Sequence, residues 1–370
     1  MALGYCPALL QHMKYVAREN APENKITPSG FLKMMLEKGA QATPIGDPFN
    51  LANVNGHIKD LRLKYYTRTV PTQMQTSDSC DIDLVQAYDE ITIDSTSVVK
   101  FGLHFDDLTI AKYCDEASRT VALGKAPSSF MQEHLAGLMA ALPGFVAKID
   151  QVLLAGITWG NNVVTGANTA TSVNFNDDSA VNLFSEGWTK IMSDYRANEG
   201  QGRPQVVGSG LVDSAFIQAK NPGMTLYSPL NNNAAAGNMD YYYDLNAATS
   251  WGSNQFGVFM PGTFGLVQLD EYVGFRAGRK GTSDFFNMPV PVEMAGSEGL
   301  LGMLNIDFQM KYIDCPTTTT VGYEEVTLNR GYSLIMKKNF APWQIPNDAF
   351  QASDRLTGNN GSLRYTATNS

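Results

Sequence analysis

The stretch KDLRLKYYTRTVPTQMQTSDSCDIDLVQAYDEITIDSTSVV, residues 59–99, decides the fold. Strand-like alternation runs through it, and its charges fall into two blocks of opposite sign. From Leu61 to Ser77 they are all basic, at Arg62, Lys64 and Arg68. From Asp78 to Val99 they are all acidic, at Asp78, Asp81, Asp83, Asp89, Glu90 and Asp94. The polar run between the blocks, rich in Thr, Gln and Ser, reads as a turn region. A hairpin lays the arms side by side, so that opposite charges meet across the ladder. Within the first arm Leu61, Leu63 and Tyr65 fall on one face and Arg62, Lys64 and Tyr66 on the other. An isolated two-stranded ribbon is marginal in water. An arm this long and polar therefore needs another surface to lie on, which marks it as a part made for assembly.

Composition agrees. At 370 residues with 44% hydrophobic content the chain is globular, enough for one large or two ordinary domains. Charged residues make up 17%, against roughly 25% in ordinary soluble domains. So low a charge density suits a protein that hides much of its surface against copies of itself. The net charge of −9 argues against nucleic-acid binding, because affinity for phosphates comes from Lys and Arg. A container that must not stick to nucleic-acid contents has the same sign. Cys6, Cys80, Cys114 and Cys315 lie in no metal-ligand spacing and read as reduced, buried thiols. Met1–Asn20 lacks the basic-then-apolar pattern of a signal peptide. No window approaches the ~18 apolar residues of a membrane helix.

Residues 1–57 are broken by Pro7, Pro22, Pro28, Pro44 and Pro48, leaving room for short helices around Ala8–Arg18 and Phe31–Lys38. They read as an extended arm. The strongest helix signal opens near Ser128, where Met131, Leu135, Leu138, Leu142, Phe145, Ile149 and Val152 form a continuous stripe. Ser129 and Gln132 suit a capping box, and Gly156 supplies a stop. The stripe keeps phase through Pro143-Gly144, which predicts one kinked helix. Beyond it the pattern predicts a helix at Val181–Ala197, a strand and helix at Gln205–Ala219, a loop-rich stretch at Asn221–Asn254 and strands at Gly257–Leu269. The clearest strand is Asn305–Ile313, with Ile306, Phe308, Met310 and Tyr312 on one face and Asn305, Asp307, Gln309 and Lys311 on the other. Strands at Tyr323–Leu328 and Tyr332–Lys337 are expected to be joined by the Asn329-Arg330-Gly331 turn. Gln351–Ser370 is polar, and Gly358–Ser362 reads as flexible coil that contact with neighbouring copies would order.

Catalytic signals are weak. Gln205-Val206-Val207-Gly208-Ser209-Gly210-Leu211-Val212-Asp213 looks like part of a dinucleotide site, but Asp213 stands where the third glycine belongs, which favours a plain strand-turn-helix. Gly274–Thr282 is basic and Gly-rich without phosphate-loop spacing, and reads as an exposed loop or subunit contact. His12, His57, His104 and His134 have no i, i+4 partner. The acid pairs Asp106-Asp107, Asp177-Asp178 and Glu324-Glu325 read as surface charge. Tyr241-Tyr242-Tyr243 with Trp251 suits a sugar platform less well than a subunit contact or satellite core. No enzyme activity, cofactor or metal is expected.

The order of parts is an extended N-terminal arm, a long two-stranded loop, a long helix, a mixed α/β domain and late strands returning toward the helix. This α+β order resembles the major capsid protein of tailed bacteriophages, the Hong Kong 97-type fold. Lys64-Tyr65-Tyr66-Thr67-Arg68 through Val99 resembles its extended loop and Ser128–Gly156 its spine helix. Phe259-Met260-Pro261-Gly262-Thr263-Phe264-Gly265-Leu266-Val267 resembles part of its axial domain. The resemblance implies an N-arm over 1–57, an extended loop over 58–107 and a peripheral domain over 108–180 with its spine helix at 128–155. An axial domain over 181–300, return strands of the peripheral domain over 301–350 and a tail over 351–370 would follow. It also implies hexamers and pentamers closing into an icosahedral virion shell, assembled in the bacterial cytoplasm around double-stranded DNA that the chain does not bind specifically. Partners would be further copies, a portal, a separate scaffold, since no scaffold-type helical segment is present, and decoration or head-auxiliary proteins; no membrane is involved. Arg62, Lys64 and Arg68 would seat the loop on an acidic patch of the adjacent subunit, with Asp81, Asp83, Asp89 and Glu90 as further contact candidates. Two other readings are an encapsulin-like compartment loaded with enzymes and a soluble nucleotide-binding oxidoreductase using the Gly208–Gly210 turn.

Overall fold

The computed structural model describes residues 29–38, 43–45, 61–66, 88–93, 97–106, 115, 140–175, 187–220, 235–269, 278–280, 283–291, 303–313, 317–321, 324–328, 331–345 and 358–368. Within these residues helices and strands form an α+β arrangement with four sheets, of which the two larger contribute to two hydrophobic clusters.

One sheet is antiparallel and organised by a single long strand. Strand β15 (Gly331–Gln344) pairs along its first half with β12 (Met303–Ile313) on one side and β4 (Ser97–Asp106) on the other. Where β12 leaves off, β9 (Phe264–Leu269) takes over that side, so Asn339 faces Leu269 and Val98 together. Beyond β12 the sheet continues through β11 (Ser283–Pro291) to the short β10 (Gly278–Lys280). The alternation in β12 places Ile306 and Phe308 in the core as expected, with Leu304 in phase, yet Asp307 on the opposite face is buried too. A strand paired on both sides can be covered on both faces.

The other sheet has five strands in the order β5-β16-β8-β6-β7 (Thr171–Asn174, Ser362–Thr368, Gln255–Phe259, Gln205–Gly208, Asp240–Tyr243). Helices cover it on both sides, which is why β6 is buried at every position. On one face Val206, Phe256, Val258, Leu363, Tyr365 and Ala367 meet α3 (Gly187–Ala197) and α4 (Leu211–Lys220). On the opposite face Val207, Phe259 and Tyr242 meet α1 (Gly30–Lys38), α2 (Leu142–Ala155) and α5 (Ala247–Trp251). That second cluster also contains Val99, Leu304, Ile306, Phe308, Met336 and Phe340 from the long sheet. One core therefore joins the two sheets, with α1 and α2 inside it.

Helix α2 runs from Leu142, with Ala141 as N-cap and Pro143 in the first turn, where a missing N–H costs nothing; the helix expected to open near Ser128 falls on 128–139, outside the described residues. Its expected stop at Gly156 is present. Three expectations change. The stretch expected to be loop at 221–254 contains β7 and α5, because three successive tyrosines suit a half-buried strand. Strand β14 (Glu324–Leu328) pairs with β13 (Thr317–Val321), while β15 pairs with β12, β4 and β9, so the turn at 329–330 connects different sheets. Finally, the polar tail supplies β16, held by its own chain. Gly160 N–H donates to Ser362 O at 3.0 Å and Asn161 N–H to Gly358 O at 2.9 Å. Asn360 Nδ2 donates to Thr158 O at 2.8 Å.

Candidate assembly interface

The hairpin expected at 59–99 is present in its strands. Strand β2 (Leu61–Tyr66) pairs antiparallel with β3 (Tyr88–Ile93), and the residues connecting them are outside the described ones. The register sets Lys64 opposite Glu90, Tyr65 opposite Asp89 and Arg62 opposite Thr92. One opposed charge pair therefore lies within the ladder, and Arg62 is left without an acid directly across. Arg68, Asp81 and Asp83 fall outside the described residues. Directly opposed positions share a face, so Leu61, Leu63, Tyr65, Asp89, Ile91 and Ile93 fall on one side and Arg62, Lys64, Tyr66, Tyr88, Glu90 and Thr92 on the other.

A third strand joins the arm. Strand β1 (Thr43–Ile45) pairs with β2, setting Thr43 opposite Lys64 and Ile45 opposite Arg62. Pro44 hid it from the sequence reading, since proline is excluded from central strands but tolerated at an edge. Among the described elements, β1, β2 and β3 pack extensively only with one another.

The N-terminal arm is anchored a second time, through α1. Gly30 lies against the backbone of Tyr242 and Tyr243, an approach that a Cβ would block. Phe31 then enters an aromatic group, with ring centroids 5.1 Å from Phe264, 5.7 Å from Phe259 and 6.4 Å from Trp251. The free N–H groups at the start of α1 point at two buried carboxylates. Phe31 N–H donates to Asp244 Oδ2 at 2.8 Å, and Leu32 N–H donates to Asp150 Oδ1 at 3.0 Å. Asn246 completes the set: its N–H donates to Asp244 Oδ1 at 2.8 Å and its Nδ2 to Asp150 Oδ2 at 2.9 Å. Both carboxyls are fully buried at 0% exposure, bridged by Asn246 and by the successive N–H groups of Phe31 and Leu32. Burial, reinforced by the charge of Asp244, holds Asp150 well above the usual carboxylate range. Burial also raises Asp244, against the opposing pull of the N–H groups of Phe31, Asn246 and Ala247. Both groups are thus pushed toward the protonated form, and two buried acids without a cation between them favour holding one proton as a pair.

Sequence reading missed this pair, although a signal exists. Asp150 sits four residues after Val146 and three before Leu153, in phase with the buried face of α2. An acid at an apolar-phase position marks a buried polar contact.

The enzymatic candidates resolve into packing. Between β6 and α4, a Cβ at Gly208 would meet Phe256 Cβ at 2.9 Å, and Gly210 has φ 63°. Asp213 places a carboxylate in the first turn of α4, where a pyrophosphate would need positive potential. Tyr241 stacks on Phe216 at 4.6 Å and donates to Gly208 O at 3.0 Å, while Tyr242 and Trp251 are core residues. Among the described residues no group of three His, Cys, Asp or Glu could hold a metal ion.

No family model matches the chain, and no curated protein does. Similarity to solved structures extends over most of its length. One from Mycobacterium phage Bobi shares 15% identity, with 96% of this chain and 99% of that chain covered at a TM-score of 0.43. The capsid asymmetric unit of cyanophage A-1(L) shares 9% identity, covering 92% of this chain and 93% of the other at a TM-score of 0.43. The capsid of Myoviridae phage XM1 shares 10%, covering 89% and 94% at a TM-score of 0.38.

Proposed function

We propose that the chain is the major capsid protein of a tailed bacteriophage with a Hong Kong 97-type fold, assembling as hexamers and pentamers into an icosahedral head around double-stranded DNA. The observation that carries this reading is the β1-β2-β3 arm, which has one mainly apolar and one mainly charged face and packs extensively only with itself among the described elements. An apolar sheet face is buried against another element, and in this reading that element is an adjacent copy. In this reading the five-stranded sheet with α3 and α4 is the axial domain, and the long sheet with α2 is the peripheral domain. The N-arm carries α1 and β1, and virions form in the bacterial host's cytoplasm with a separate scaffold, a portal and decoration or head-auxiliary proteins.

The arm seats on an acidic patch of the adjacent copy through the basic positions Arg62, Lys64 and Arg68. Exposed ion pairs contribute only about 0–1 kcal/mol each, so buried area supplies most of the affinity and the charges set register and encounter rate. Replacing all three by Glu is expected to raise the concentration needed for assembly by about tenfold or more, about 1.4 kcal/mol, with the monomer still folded. Light scattering and negative-stain microscopy, with scaffold protein added, read this directly. Normal shells at the wild-type concentration would refute the seating role, and a stable small oligomer of the wild-type chain would refute the capsid reading.

A further inference from the structure

We propose that α1 is a proton-controlled latch: its docking between the two sheets depends on a proton shared by Asp150 and Asp244, and loss of that proton releases the helix. The inference is independent of the capsid reading, because it concerns only whether the N-terminal arm stays attached to its own chain. It begins from geometry. The first N–H groups of α1 end on the two carboxylates, at 2.8 and 3.0 Å, and both carboxylates are buried by the element they hold. Two unprotonated carboxylates buried side by side across Asn246 would repel one another strongly. Among the described residues neither pairs with Lys or Arg.

Other ionisable groups around α1 are accounted for. On α1 itself Lys33 pairs with Glu37 at 3.7 Å and lies over the Tyr242 ring at 5.9 Å. From β7, Tyr242 faces Glu37, and burial followed by that charge raises its phenol further from ionisation; Tyr241 is likewise pushed up by burial and the charge of Asp213, with Asp244 adding to it, and Asp240 and Tyr243 are that strand's other ionisable positions. Strand β6, strand β9 and helix α5, which complete the surroundings of α1 and the pair, contain no ionisable side chain. On α2, Lys148 is exposed and bonded to Gln151. On β4, which packs against α2, Lys100 is exposed, and His104 and Asp106 are the remaining ionisable positions.

The proton balance is simple. In the docked state the pair holds one proton. On release both groups become hydrated and ionise, and that proton passes to water. Docking therefore takes up a proton, since burial raises Asp150 in the docked state. The stabilisation is complete below the ordinary carboxylate range and declines as pH rises through the raised value. A release that sheds one proton weakens docking by up to about tenfold per pH unit.

Amide hydrogen exchange of the full-length chain from about pH 6 to about pH 9, corrected for the intrinsic rate, tests this against the one-proton slope. Protection of the α1 amides is expected to fall with pH relative to α3, approaching about tenfold per unit. Asp150→Asn, which imitates the protonated carboxyl, is expected to make α1 protection independent of pH. Glu37→Gln is expected to leave the wild-type slope in place. Parallel behaviour of α1 and α3 in the wild-type chain would overturn the proposal, as would loss of the slope in Glu37→Gln. If Asp150→Asn does not fold, the wild-type slope and the Glu37→Gln comparison decide it.

Discussion

At position 30 a methyl group would meet the carbonyl oxygen of Tyr243 at 2.5 Å and backbone carbon of Tyr242 at 2.9 Å. Both neighbours are backbone of β7, held by its ladder to β6, so neither can turn aside. Gly30→Ala is therefore expected to lift the start of α1 from β7, at a cost of about 1–3 kcal/mol. Chemical denaturation should register the loss, and proteolysis should detect earlier cleavage near residue 30. Phe31→Ala, beside it, removes a ring that three aromatic neighbours enclose and is expected to cost about 3–5 kcal/mol in the same denaturation experiment. The importance of these two residues was only half legible. The apolar spacing of Phe31–Lys38 predicts a short helix, but the glycine before it is an ordinary helix neighbour until the distant Tyr242 and Tyr243 are brought against it. Asp150 is a sharper lesson, since its phase with Val146 and Leu153 could have been counted on the sequence, whereas its partner Asp244 lies in a charge-poor stretch with no local pattern.

Among the elements, β16 departs most from what its composition implies. Its sequence is polar overall, yet Leu363, Tyr365 and Ala367 alternate and are buried, and the strand separates β5 from β8. Period-two burial was present in the letters, but only three apolar positions in a polar run did not outweigh the flanking Asn and Gly. Buried Leu363 and Tyr365 contribute about 1.5–3 kcal/mol each, and a ladder on both sides adds to this. A chain truncated before Ser362 is expected to lose the five-stranded sheet altogether, because that sum is a large part of the ~5–15 kcal/mol that holds a domain together. Circular dichroism would show loss of strand content and a broadened transition. The β2–β3 hairpin, in contrast, was legible because alternation and charge blocks agree. Strand β1 was not, because pairing at an edge is a tertiary event that Pro44 argues against locally.

On the scale of the whole molecule, the core shared by α1, α2, α5 and both sheets makes the two sheets one mechanical unit. The arm is the exception, with charge on one side and extensive packing only among its own strands. If the arm seats on an adjacent copy as proposed, raising the ionic strength should slow assembly more than it lowers the final yield. Screening acts on the long-range encounter and little on buried area. Stopped-flow scattering at two salt concentrations separates rate from yield, and an equal loss of both would contradict the division of labour. The order of parts along the chain could be read from its sequence. Which strands pair across long separations could not, as the 14-residue β15 shows by changing partners midway from β12 to β9.

The place of β16 also fixes a sequence of events in time. A ribosome delivers β5, β6, β7 and β8 long before residues 362–368, yet β5 reaches the rest of its sheet only through β16. Until synthesis has passed residue 368, the nascent chain holds an unfinished sheet with an open edge, the kind of edge on which chains aggregate. The strand that joins β5 to β8 is thus the last of the five to be made, and the sheet cannot close before it arrives.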